Sequence, residues 1–78
     1  MKTVKYTRHA KNRMRLHEIN EADVELAIDN PDFTEPSLEE RKNVWKEISD
    51  RYLRVTYKEE KDRILIITAV KKKKGWRL

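Results

Sequence analysis

"VWKEISDRYLRVTYKEEKDRILIITAV", residues 44–70, decides the fold class. Inside it, VWKEIS (44–49), RYLRVTYK (51–58) and RILIITAV (63–70) are rich in β-branched and aromatic residues and are punctuated by "SD" and "EEKD". Strand-like runs with connections this short pair with their sequence neighbours, so the stretch predicts an antiparallel meander. In the second run Tyr52 and Arg54 alternate onto one face, and Leu53, Val55 and Tyr57 take the other. The third run is apolar on both faces, which marks it as a central strand with cover on one side and at least part of the other.

Upstream, "KTVKYT" (2–7) alternates Val4 and Tyr6 with polar neighbours and reads as a short strand. Thr7 can cap a helix that runs from Arg8 to about Glu18, in which Ala10, Met14 and His17 recur at i, i+4 and i+7 as a narrow buried stripe flanked by His9 and Arg13. Ile19 closes this helix. Asn20 opens a second one, with Asp23 reaching back in the manner of a capping box. Val24, Ala27 and Ile28 supply its apolar face, and Asn30 before Pro31 ends it, because a residue preceding proline is pushed out of the helical region. "PDFTEPSLEERKN" (31–43) holds both prolines and reads as a connecting loop with one helical turn around "SLEER". The expected architecture is α+β, in the order β-α-α-β-β-β, with two helices packed on one antiparallel sheet. Residues 1–70 form a single compact domain, and "KKKKGWRL" (71–78) is expected to be a basic C-terminal tail.

Seventy-eight residues leave room for one layer of helix on one sheet, near the lower limit for a core without staples. With no cysteine, disulfides and thiolate metal sites are excluded and a reducing, cytoplasmic setting is the expectation. The opening residues lack the apolar run of a signal peptide, and "ILIITAV" is far too short to cross a bilayer, so no membrane partner is expected. The net charge of +5 is unevenly placed. Residues 1–17 carry six Lys/Arg and no acid, residues 18–50 carry eleven acids against three bases, and residues 71–78 carry five bases and no acid. Positive charge concentrated in two segments suits a phosphate-rich partner, with solvated lysines as the plain alternative.

Order and motif together resemble a known family. "RHAKNRM" (8–14), then Ile19, then "NEADVELAIDNP" (20–31), then strands ending in "IITAVKKKKGW" (66–76), resemble the domain-of-unknown-function family numbered 4258. That family's pattern is His-Ala-x-x-Arg-Met-x-x-Arg-x-Ile, a Val/Ala-rich helix, paired strands and a late Thr-Ala/Val-Tyr. The resemblance covers nearly the whole chain, and its sharpest part is the spacing of His9, Arg13, Met14 and Ile19. Two departures stand out: His17 replaces the usual Arg, and Val70 replaces the Tyr. The family is in turn similar to the small BrnT and RelE-type toxins of toxin–antitoxin systems. That resemblance implies a RelE/BrnT-like helix-on-sheet fold and metal-independent RNA cleavage, with ribosome-bound mRNA as a substrate and an acidic antitoxin covering the basic face.

Such cleavage needs a base, an acid and positive charge around the phosphorane, roles that His, Arg, Lys and Tyr can fill. His9 is the expected base or acid, since the start of a helix beside Arg8 favours a neutral imidazole. Arg13, one turn on, and Arg54 are the expected phosphate stabilisers. Arg8, Lys11, Arg15 and Lys71, Lys72, Lys73 and Lys74 are expected to contact the nucleic-acid backbone, with Trp76 stacking on a base. Competing structural readings exist for each. His9 could cap its helix, His17 could be core-edge packing, Arg13 could pair with Glu21 or Glu25, and Trp76 could fold back on the sheet. Trp45 is expected to pack against the sheet and Tyr6 to join the core. No metal or other cofactor is expected: the two histidines are eight apart without cysteine, and Gly75 is the only glycine, so there is no phosphate-binding loop. Two rivals to a ribonuclease are a non-catalytic nucleic-acid-binding module on the same basic surface and a protein-interaction domain whose acidic second helix meets a basic partner.

Overall fold

The computed structural model describes residues 2–73. Its elements run β1 (Thr3–Tyr6), α1 (Arg8–Leu16), α2 (Glu21–Asp29), β2 (Phe33–Pro36), a 3₁₀ turn (Leu38–Glu40), β3 (Arg41–Ile48), β4 (Arg51–Glu59) and β5 (Arg63–Lys73). The expected α+β class, two helices on one sheet, is what forms. The sheet has five strands in the order β1-β5-β4-β3-β2, one more than expected, and it is mixed: β2 to β5 pair antiparallel while β1 lies parallel to β5. The added strand is β2, from the segment expected to be a loop. Pro36 is compatible with it because β2 is an edge strand, where a missing N–H leaves no ladder bond unmade. Pro36 and Phe33 pair with Lys42 and Trp45, and Asp32 extends the edge by accepting Glu47 N–H at 2.8 Å. The meander closes through Ser49 and Asp50, with Ile48 opposite Arg51.

Alternation then sorts the sheet into two faces. Val44, Leu53, Val55, Tyr57, Ile66 and Ala69 form one core with Ala10, Met14 and Ile19 of the α1 region and Val24 and Ala27 of α2. Full burial of a valine or isoleucine of this kind is worth about 1.5–3 kcal/mol. On the opposite face one cross-strand row runs Phe33, Trp45, Arg54, Val70. Trp45 is buried there; its Nε1–H donates to Glu35 Oε1 at 3.1 Å, and the Arg54 guanidinium lies 5.7 Å from its ring centroid. Phe33 and Tyr52 contact one another on the same side, their centroids 6.0 Å apart. β5 is the interior strand anticipated from its two apolar faces, but it continues through Lys71, Lys72 and Lys73, so those lysines are strand residues and not tail. Lys74 and Trp76 lie outside the described residues.

Helix placement follows from one break in the β4–β5 register. Thr56 pairs with Thr68 and Tyr57 with Ile66, which leaves Ile67 as an extra residue on β5. Thr7 meets this bulge: its hydroxyl donates to the Ile67 carbonyl at 3.1 Å and accepts Ala10 N–H at 3.0 Å as the N-cap of α1. At the other end, Glu18 takes a left-handed conformation (φ 56°), and Ile19 N–H reaches back to the Met14 carbonyl at 2.8 Å. This is a Schellman closure, its C″ and C3 residues, Ile19 and Met14, both buried in the core. Asn20 caps α2 as expected, its Oδ1 accepting Asp23 N–H at 2.8 Å.

Thr7→Ala removes both the cap and the bulge contact, and it should cost about 2 kcal/mol in urea unfolding, while Thr7→Ser should recover most of that. Equal stability of Thr7→Ala and the parent chain would show that the hydroxyl does not anchor α1.

Candidate functional site

α1 begins at the bulge and crosses β5, and the strands run on beyond its last turn. There the β3–β4 hairpin and the end of β5 wall a hollow of about 400 Å³, lined by His17, Glu18, Ile48, Ser49, Asp50, Arg51 and Lys71. Each side chain is set by its element. His17 is the C-cap of α1, turned toward the core edge by its helical phase with Ala10 and Met14. Lys71 lies opposite Leu53 on the helix-covered face, and Arg51 opposite Lys73, so the strand alternation carries both to the rim. Lys71 Nζ donates to the Glu18 carbonyl at 3.2 Å, which ties β5 to the helix terminus.

Electrostatics centre on His17. Partial burial holds its pKa below the ordinary imidazole value of 6.5, and the nearby charges of Arg13, Lys72 and Lys71 lower it further. The ring is therefore neutral at pH 7 and able to accept a proton. Cationic surroundings that repel an imidazolium also attract an anion, while Glu18 and Asp50 at the same hollow oppose it. The other candidate for proton chemistry, Tyr6, is held protonated: burial, then Glu21 and Glu25, push its pKa up to about 12, and its buried hydroxyl has no hydrogen-bond partner.

The expected trio of His9, Arg13 and Arg54 does not assemble. Arg54 stacks on Trp45 on the face of the sheet away from the helices, with Nε buried and unpartnered, whereas α1 packs on the opposite face. His9 is exposed in the first turn of α1 and does not line the hollow. Arg13 alone of the three stands near it, through its field on His17. Arg13 makes no ion pair with Glu21 or Glu25 among the described residues. Arg8, Lys11 and Arg15 are exposed on α1, and Lys71 is at the hollow. Lys72 alternates to the other face opposite Tyr52, and Lys73 ends β5 exposed. The residues missed were His17 and Arg51. His17 was visible as Arg13 plus four, and Arg51 as the first residue after a two-residue hairpin. Val70 is also explained: it pairs with Arg54 on the far face, so a tyrosine there would not have reached the hollow.

The pattern of a known family matches this chain over residues 6–71, the family described as Domain of unknown function (DUF4258). The chain belongs to that family. The match begins at Tyr6 and ends at Lys71, so every lining residue of the hollow falls within the DUF4258 segment. No curated protein and no solved structure matches the chain. Among the described residues no helix is long and apolar enough to cross a membrane.

Because the folded chain binds a proton at His17 less readily than the unfolded chain, the stability this residue contributes is complete above pH 6.5 and is lost as pH falls through its lowered folded-state value. An NMR titration should place the His17 ring below 6.5, and Arg13→Ala or added inorganic phosphate should raise it. A ring that titrates at or above 6.5 and ignores phosphate would contradict this electrostatic picture.

Proposed function

We propose that this DUF4258 chain is a small toxin-type ribonuclease that binds RNA phosphate at the His17 hollow and cleaves without a metal, and that an acidic antitoxin segment is its natural cover. The observation that carries the reading is that His17, Arg51 and Lys71 line one hollow, with Arg13 near enough to lower the His17 pKa. In this scheme His17 takes the proton from a ribose 2′-hydroxyl as its oxygen attacks the adjacent phosphorus. Arg51 and Arg13 stabilise the charge that builds on the phosphorane, Arg51 with its planar fork. The P–O5′ bond breaks, the 5′-oxygen takes a proton from the Lys71 ammonium, and the products are a 2′,3′-cyclic phosphate and a 5′-hydroxyl. The toxin class follows from the resemblance of the family's sequence pattern to BrnT and RelE-type toxins, and a cytoplasmic setting accords with an RNA substrate.

A non-catalytic RNA-binding module is the second reading, favoured by the single imidazole at the hollow: His9 stands about 12 Å away along the helix axis, at 1.5 Å per residue.

End-labelled RNA incubated with purified protein separates the two. The ribonuclease reading expects scission that His17→Ala lowers by about 10²-fold or more with binding retained, and that His9→Ala changes only a few-fold. RNA that is bound but never cut by the parent chain would leave the module, and scission indifferent to His17→Ala would remove His17 from the chemistry.

A further inference from the structure

The ionised side chains of α1 are all basic; Arg13 and Arg15 stand in its last turn, where the macrodipole favours them, and only the first turn runs against it. Its first turn has no acid and begins Arg8-His9, at the end of the helix where the macrodipole is positive. α2 follows the ordinary rule, with Glu21 and Asp23 in its first turn. Elsewhere four cations are ion-paired, Lys2 with Glu59, Arg41 with Glu39, Lys46 with Asp32 and Arg63 with Glu60. None of Arg8, Lys11, Arg13 and Arg15 has an ion-pair partner among the described residues, and all four are exposed. Four exposed cations on a nine-residue helix that carries no acid offer a surface to a ligand of opposite charge.

The positions of these cations say what shape that ligand has. At 3.6 residues per turn, Arg8, Lys11 and Arg15 fall on one flank of α1, and His9 and Arg13 on the other, with Arg13 and Arg15 about 160° apart. The outward ridge between the flanks carries Asn12 and Leu16, both exposed, Leu16 at 69%. Cations on both sides of a rod about 10–12 Å across reach two phosphate tracks and not one. The depth available is limited as well. Ala10 and Met14 are buried along the inner side of α1 and both helix ends are tied down, so the helix lies flat on the sheet and only its outer half projects. It can lie along the wide, shallow minor groove of A-form RNA, whose 2′-hydroxyls an asparagine amide can meet as donor and acceptor.

We propose that α1 docks lengthwise on the minor groove of an RNA duplex, with Arg8, Lys11 and Arg15 on one strand's phosphates, Arg13 on the other's, and Asn12 toward the 2′-hydroxyls between them. This rests on the RNA reading above and adds that the protein grips a paired stretch, the cut falling in an unpaired segment beside it, where the 2′-hydroxyl can come in line with the P–O5′ bond. It also orients the complex: the hollow lies beyond the last turn of α1, so the strand to be cut passes His17 only after it leaves the docked stretch.

The test is fluorescence anisotropy of the full chain with a labelled 20-base-pair RNA duplex, one of its strands alone, and a DNA duplex of the same sequence. The RNA duplex should bind at least tenfold tighter than either alternative. Lys11→Ala with Arg15→Ala, and Arg13→Ala separately, should each weaken duplex binding and reduce the slope of log K against log salt by about one per cation removed. Arg15→Lys, which keeps the charge and the fold, should keep the slope. Asn12→Ala should narrow the preference of RNA over DNA with the slope unchanged. Single-stranded RNA bound as tightly as the duplex, or DNA bound tighter, overturns the docking proposal and leaves the ribonuclease reading standing; failure to bind RNA in any form overturns both.

Discussion

The hydroxyl of Thr7 joins the two layers of the fold. β5 carries one residue more than β4 can pair, and the extra residue, Ile67, leaves a carbonyl that the ladder does not use in the ordinary way. Thr7 donates to that carbonyl and, with the same oxygen, accepts the Ala10 N–H in the first turn of α1. A helix fixed at its origin on a particular residue of the central strand has its direction and length fixed too, and so has the place where it stops. α1 ends where Ile19 enters the core, and His17 and Glu18 are left at the open end of the sheet. The hollow is the consequence: a short helix over longer strands, with a tight hairpin on one side and the end of β5 on the other.

Much of this could be read from residues 44–70 and the two capping residues. The meander, its turns, the interior position of β5, both helix starts and the closure by Ile19 follow from local chemistry that the sequence states directly. What was not legible is nonlocal. The parallel pairing of β1 with β5 depends on α1 and α2 returning the chain over the sheet, and no local pattern distinguishes it from an antiparallel edge. β2 was hidden because its two neighbouring prolines look like loop, and only its place at the edge makes Pro36 acceptable. The lysines of β5 looked like a solvated tail because charge hides a strand whose outer residues do not need to be apolar.

The candidate site was half legible, and the missing half had a signal. The alternation in RYLRVTYK puts Leu53, Val55 and Tyr57 on one face, which must be the core face, so Arg54 had to lie opposite the helices. Beside it, the Ala10, Met14 and His17 stripe turns His17, and not His9, toward the sheet. His17 was set aside as core-edge packing, and it is at the core edge; partial burial beside Arg13 and Lys71 is what keeps its ring neutral.

The central claim is that phosphate is met on the helix-covered side of the sheet, at the end of α1, and not on the Trp45 and Arg54 side. A ¹H–¹⁵N shift map of the chain with RNA tests this most directly. The account predicts perturbations gathered at Arg13, His17, Arg51 and Lys71, with Tyr52, Arg54 and Val70 little changed. Shifts concentrated on Tyr52, Arg54 and Val70, with the end of α1 silent, would contradict it.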